Sequence, residues 1–127
     1  MSCPFHRAAL AAAAAASLLS GCGASERPAA AAAAGGSAER GRVLLAQYQC
    51  GSCHTIPGVP ASRGKVAAPL DAFGERSYIA GRVANRPEAL ARWIESPQAL
   101  VPGTSMPDMG ASAADARDMA AYLSSQK

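Results

Sequence analysis

Three stretches of the chain repeat apolar residues at helical spacing. Gly41, Leu44, Leu45 and Tyr48 fall at i, i+3, i+4 and i+7 and predict one apolar helix face. A second helix is expected to begin near Asn85, because Asn85 and Glu88 stand in capping-box spacing and Pro87 falls in the first turn. Its inner face is Leu90, Trp93 and Ile94, and Pro97 should end it. A third helix is expected from Ser112, with Asp115 as its capping partner, to about Ser125. Its stripe is Ala116, Met119, Ala120 and Leu123. Between the first two helices, Gly, Pro and short polar clusters predict mostly loop. No alternation of strand length stands out, and no internal repeat. The pattern predicts an all-α domain with three main helices over residues 39–127.

The N-terminal part follows a different pattern. Ala8 to Leu19 is an apolar stretch of 12 residues behind Arg7. It is too short to span a bilayer and has the length of a secretory signal's apolar region. Leu19-Ser20-Gly21-Cys22 then resembles the lipobox of bacterial lipoproteins. That resemblance implies that residues 1–21 are a signal peptide and that Cys22 becomes the lipidated N-terminus. In residues 22–38, Pro28 and the Gly35-Gly36 pair flank six alanines, and Gly, Ala, Ser and Pro dominate. This composition predicts a flexible tether, and a coil of this length spans about 20–24 Å on average. The expectation is an exported protein, lipid-anchored on the periplasmic side of a membrane.

Composition changes the picture of the core. Apolar residues are 50% of the chain, but alanine dominates them, and there are only one Trp, three Tyr and two Phe. A small domain so poor in bulky side chains recruits a metal, disulfides or a large cofactor to complete its core. The net charge is +3, one less if Arg7 leaves with the signal, and the charges are scattered. No basic run with interleaved aromatics appears, which argues against a nucleic-acid partner. No window of 18 bulky apolar residues appears, so no spanning helix is expected.

The candidate chemistry lies in Cys50-Gly51-Ser52-Cys53-His54, a C-x-x-C-H motif. Two thiols three residues apart sit about one helical turn apart and can add to the two vinyl groups on one edge of a haem. The adjacent imidazole then points at the iron. Gly51 and Ser52 are small and would leave room for the porphyrin edge. A structural zinc site would need four ligands. Outside the motif the chain offers only His6, Cys3 and Cys22, all in or beside the signal. A thioredoxin-like pair would need a strand-to-helix setting that the pattern lacks. A plain disulfide is compatible with export.

Pro102-Gly103-Thr104-Ser105-Met106-Pro107 and Trp93-Ile94-Glu95-Ser96-Pro97 add to the motif. An N-terminal helix, CxxCH, a loop with Pro, a middle helix ending in Pro, a PGTxM loop and a C-terminal helix follow one another. In this order the chain resembles class I cytochromes c over about residues 39–126. It is similar in particular to small bacterial cytochrome c domains associated with terminal oxidases, some fused to an oxidase subunit. The resemblance implies one covalent haem c on Cys50 and Cys53, with His54 and Met106 as the iron ligands. Met109 and Met119 are the competing sulfurs: Met109 lacks the PGTxM setting, and Met119 sits on a helix stripe. The resemblance further implies that the Pro69 carbonyl receives the His54 Nδ1 hydrogen, although the family usually has Gly where this chain has Ala68. It places Trp93 beside the Met ligand, Arg76 and Asn85 at the haem propionates, and Gly41 and Tyr122 at the contact between terminal helices.

With both axial positions filled, the expected function is one-electron transfer by a periplasmic, membrane-anchored carrier, without a small-molecule substrate and without enzymatic activity of its own. The electrons would pass to redox protein partners at an exposed haem edge near Cys50 and Cys53, towards a terminal oxidase or other membrane respiratory complex. The alternative is a haem c subunit bound permanently to a dehydrogenase or oxidase.

Overall fold

The computed structural model describes residues 35–127. The signal, Cys22 and the tether as far as residue 34 lie outside the described residues. The fold begins earlier than the sequence pattern placed it. Ser37 caps helix α1 (Ala38–Gln47), its Oγ accepting from the Arg40 N–H at 3.3 Å. The Ser37 N–H also donates to Asp118 Oδ1 at 2.7 Å. Ser37 and Ala38 therefore belong to the domain rather than to the tether.

Three further helices follow: α2 (Pro87–Glu95), α3 (Pro97–Leu100) and α4 (Ala113–Ser124). As expected, Ser112 caps α4, its Oγ accepting from the Asp115 N–H at 3.1 Å. Helix α2 starts differently. Its cap position is Arg86, extended as a residue before proline must be, and Pro87 opens the helix with its preset φ. Asn85 does not cap it. Its side-chain amide donates instead to the Phe73 and Arg76 carbonyls, at 2.8 and 2.9 Å. Pro97 ends α2 and also opens α3, because a proline that cannot continue one helix suits the first position of the next.

Helices α1 and α4 cross in close contact. A Cβ on Gly41 would lie 2.0 Å from the Asp118 carbonyl oxygen, so only glycine permits this approach. The predicted pairing of Gly41 with Tyr122 is thus displaced by about one turn: Gly41 meets Asp118 and Met119. Tyr122 reaches past the pair to donate its hydroxyl to the Pro57 carbonyl at 2.8 Å. Around the crossing, Arg40 forms ion pairs with both Asp115 and Asp118. Tyr48 donates its hydroxyl to Asp115 at 2.8 Å. Leu45, Leu90, Ala116, Met119, Ala120 and Leu123 are buried between α1, α2 and α4.

The long connection from α1 to α2 contains two 3₁₀ turns, Cys50–Ser52 and Phe73–Glu75, and one small antiparallel pair, β1 (Tyr78–Ile79) with β2 (Val83–Ala84). The pair is too short to show as alternation. Its turn holds Ala80 at φ 49° and Gly81 at φ 68°, with the Arg82 N–H donating to the Ile79 carbonyl at 3.0 Å. Two left-handed residues in a row match the twist of a tight hairpin. The fold is helical, with the helices standing against one loop-built wall.

Candidate cofactor site

The C-x-x-C-H segment follows directly on α1. Gln49 turns the chain in a left-handed conformation (φ 55°), and Cys50–Ser52 forms a 3₁₀ turn. The Cys53 and His54 N–H groups both donate to the Cys50 carbonyl, at 3.3 and 3.0 Å. This winding puts the two thiols one turn apart, and no disulfide joins them. Gly51 is small for a reason other than the expected one. A Cβ there would lie 2.2 Å from Ser62 Oγ, so the glycine admits the following loop. Neither Gly51 nor Ser52 lines the cavity described below. Burial pushes the Cys50 thiol up from its ordinary value, and the neighbouring Cys53 adds to the rise. Reactive exchange thiols have lowered values, whereas Cys50 shifts in the opposite direction.

The loop after the motif fixes the imidazole. Gly64, Ala67 and Leu70 donate their N–H groups to the carbonyls of Gly51, Cys53 and Thr55, at 2.9, 3.0 and 2.8 Å. This brings the Ala68 carbonyl 2.6 Å from His54 Nδ1. A carbonyl only accepts, so Nδ1 carries the hydrogen, and Nε2 is the nitrogen left to bind a metal. The acceptor is Ala68, not Pro69 as the resemblance implied. Successive carbonyls point to different sides of the segment, and that of Pro69 accepts from Arg76 Nη2 at 2.7 Å.

Met106 arrives from the other direction in sequence. Val101-Pro102-Gly103-Thr104 forms a turn, closed by the Thr104 N–H donating to the Val101 carbonyl at 3.1 Å, with Gly103 at φ 81°. Proline second and a left-handed glycine third suit a type II turn. The Met106 N–H then donates to Thr104 Oγ1 at 3.3 Å.

These segments border one cavity of about 510 Å³, lined by Cys50, Cys53, His54, Arg76, Trp93 and Met106 among mainly apolar neighbours. Leu45 of α1, Leu90 and Ile94 of α2 and Met119 and Leu123 of α4 supply helical wall. Val66 and Tyr78 also line it, yet they are 84% and 59% exposed. Large apolar side chains left open around a cavity mark surface that a ligand covers. The size is that of a cofactor site. The residues present fit a haem: two thiols to hold it, an imidazole and a thioether to ligate iron, apolar walls for the macrocycle and a cation for its carboxylates.

Of the residues singled out from sequence, Cys50, Cys53, His54, Met106, Trp93 and Arg76 meet at this cavity. Trp93 is also buried in the core, so it serves packing and lining together. Arg76 is held in place, its Nη2 bonding the Pro69 and Asp71 carbonyls and its guanidinium lying 5.2 Å from the centre of the Phe73 ring. Asn85 and Pro69 do not line the cavity. Asn85 braces the backbone at Arg76 from one step away. All three competing methionines line it. Met119 is fully buried within α4, Met109 is 40% exposed, and Met106 packs half-buried against the core. The sequence reading missed Ala68, Ser62 and Gln98. Their contacts with residues distant in sequence mark them, and no spacing rule reveals those.

A family model described as cytochrome c matches residues 38–127. Cytochrome c oxidase subunit 2 of Alkalihalophilus pseudofirmus (strain ATCC BAA-2126 / JCM 17055 / OF4) is 38% identical over 93 residues, which cover 71% of this chain and 26% of that protein. Cytochrome c oxidase subunit 2 of Bacillus subtilis (strain 168) is 31% identical over 71 residues, 54% of this chain and 20% of that protein. The chain thus spans about a quarter or less of the length of these curated relatives. With the family match running from the first helix to the last residue, and the thiols, imidazole and thioether meeting at one cavity, the chain belongs to the cytochrome c family, which binds haem c covalently and transfers electrons.

Proposed function

We propose that the chain carries single electrons towards a terminal oxidase, from the outer side of a membrane to which lipid on Cys22 holds it. The observation that carries this reading is the cavity, where His54, with Nε2 available, and the thioether of Met106 are both present. Cys50 and Cys53 would hold the haem as thioethers, and His54 and Met106 would be its axial ligands. A haem so ligated supplies a one-electron ferric/ferrous couple, and the thioether favours the ferrous form. The residues of the chain do the rest. The Ala68 carbonyl fixes the imidazole tautomer, the loop hydrogen bonds hold that carbonyl, and Arg76 offers positive charge at the cavity. With His54 and Met106 both holding the iron, the chain's own side chains would leave small molecules no open position to react at.

The oxidase direction rests on the two relatives, both oxidase subunits, and the anchor on the residues around Cys22. Among the described residues no helix is long and apolar enough to cross a membrane. The test is an intact mass with an absorption spectrum of the reduced protein, and a membrane fractionation of Cys22→Ser. One haem that survives acid-acetone extraction and release of the variant into the soluble fraction are the expected results. A haem-free mass would refute the carrier, and a fully processed variant still on membranes would refute the lipid anchor.

A second reading is favoured by the relatives themselves, in which the matching region is part of a larger oxidase subunit. In it the domain is a fixed subunit. Copurification with an oxidase in mild detergent separates the two: stable association supports the subunit, and its absence supports the mobile carrier.

A further inference from the structure

Gln98 has no part in the site as described, yet it holds the loop that carries Met106. It sits in α3, a single turn opened by Pro97, and so projects from a fixed place at the end of α2. Its Nε2 donates to the Thr104 carbonyl at 2.5 Å, and its Oε1 accepts from the Gly103 N–H at 3.0 Å. One side chain therefore grips two adjacent residues of the Val101–Thr104 turn through one donor and one acceptor. A carboxamide supplies both with this reach at any pH. From Thr104 the connection to the sulfur is short, since Thr104 Oγ1 accepts from the Met106 N–H. Thr104, Ser105 and Met106 all line the cavity.

We propose that Gln98 is a positioning residue for the Met106 ligand: its carboxamide clamps the turn and sets how readily the thioether leaves the iron. The proposal rests on Met106 being the ligand. For an external ligand to take the place of the thioether, the Met106 side chain must move away, and the two Gln98 bonds restrain the turn that carries it. The apparent affinity of such a ligand is scaled by the fraction of molecules with the loop open. Removing two exposed neutral hydrogen bonds should raise that fraction roughly tenfold.

The experiment is imidazole titration of the ferric holoprotein, followed by its absorption spectrum. Four variants are compared with the parent: Gln98→Ala, Gln98→Glu, Met106→Ala and, as a control for general loosening, Ser37→Ala, which removes the α1 cap and lies outside the cavity lining. Gln98→Ala should bind imidazole roughly tenfold more tightly than the parent, with Ser37→Ala unchanged and Met106→Ala tighter than both. Gln98→Glu adds a signature that packing alone would not give. A protonated carboxyl can still donate to the Thr104 carbonyl, whereas an ionised one sets two oxygens against each other. The ratio of its affinity to the parent's should therefore climb as pH rises through the carboxylate range. The clamp is overturned if Gln98→Ala binds as the parent does, if Ser37→Ala tightens binding equally, or if the Gln98→Glu ratio is flat with pH. If Met106→Ala leaves imidazole binding unchanged, the ligand assignment itself is wrong and the clamp falls with it.

Discussion

The α1–α4 pair and the loop-built wall of residues 49–84 border the same cavity but are held by different means. The helices close on themselves. Gly41 lets the backbones touch, Leu45 and Met119 fill the space beside the crossing, and Arg40 binds two carboxylates across it. The loop wall buries apolar side chains more sparsely, with Ile56, Val59, Phe73 and Ile79 spread over its length. It is tied by single hydrogen bonds, passes through left-handed residues at Gln49, Ala61, Ala72 and Ala80, and leaves Val66 and Tyr78 exposed at the cavity. A frame that buries its own apolar surface is stable by itself. A wall whose apolar side chains face a ligand depends on that ligand for burial. The division also suits function, since the two thiols, His54 and the Ala68 carbonyl that fixes it all lie on the loop wall.

Removing the ligand should therefore split the two regions, and this is the largest effect expected. A Cys50→Ala/Cys53→Ala double variant, purified without haem, should lose amide-exchange protection first and most fully over residues 55–84. The α4 amides should stay the better protected. Equal loss in both regions would break the comparison. Next comes the frame. Gly41→Leu drives a side chain into the Asp118 backbone and should destabilise the holoprotein by about 3 kcal/mol in a denaturant melt. An effect under about 1 kcal/mol would show that the helices can part without cost.

A smaller effect follows from the polar cluster at the crossing. The Tyr48 hydroxyl, with help from the Ser112 hydroxyl and Arg40, holds the Asp115 carboxyl below its ordinary value against a counteracting desolvation. The same bond raises Tyr48. A carboxyl lowered by folding contributes stability above its unfolded value and loses it as pH falls through the folded one. A phenol raised by folding contributes below its unfolded value and loses it as pH rises through the folded one. The pair should thus weaken at both acid and alkaline ends. Asp115→Asn should cost about 1 kcal/mol at neutral pH and flatten the acid limb of a stability–pH curve, while leaving the haem spectrum unchanged. The smallest effect lies in the loop wall. Ala80 pays for a left-handed backbone that glycine adopts freely, so Ala80→Gly should stabilise by up to about 1 kcal/mol. A loss instead would mean that the Ala80 methyl matters more to the cavity wall.

The frame was readable from the sequence because its physics is periodic. Leu44, Leu45, Ala116, Met119, Ala120 and Leu123 repeat at helical spacing, and Ser112 announces its helix by chemistry that acts within one turn. The motif was readable for the same reason, since thiol spacing and an adjacent imidazole are local facts. What was misplaced depends on partners distant in sequence. Asn85 has capping spacing but spends its amide on Phe73 and Arg76. Gly51 is small because Ser62 lies over it. Which carbonyl meets His54 turns on the path of a whole loop, and so Ala68 stands where Pro69 was expected. The β1–β2 hairpin escaped notice because Ala80-Gly81 is a weak turn signal and only two residue pairs flank it.

The central claim is that this cavity holds one covalent haem between His54 and Met106. The most direct test is the weak far-red absorption band of ferric haem ligated by thioether sulfur, measured side by side in Met106→Ala and Met109→Ala. The band should vanish in Met106→Ala, with a fall in potential, and persist in Met109→Ala. Its loss in Met109→Ala and survival in Met106→Ala would assign the iron to the wrong sulfur and contradict the site as drawn.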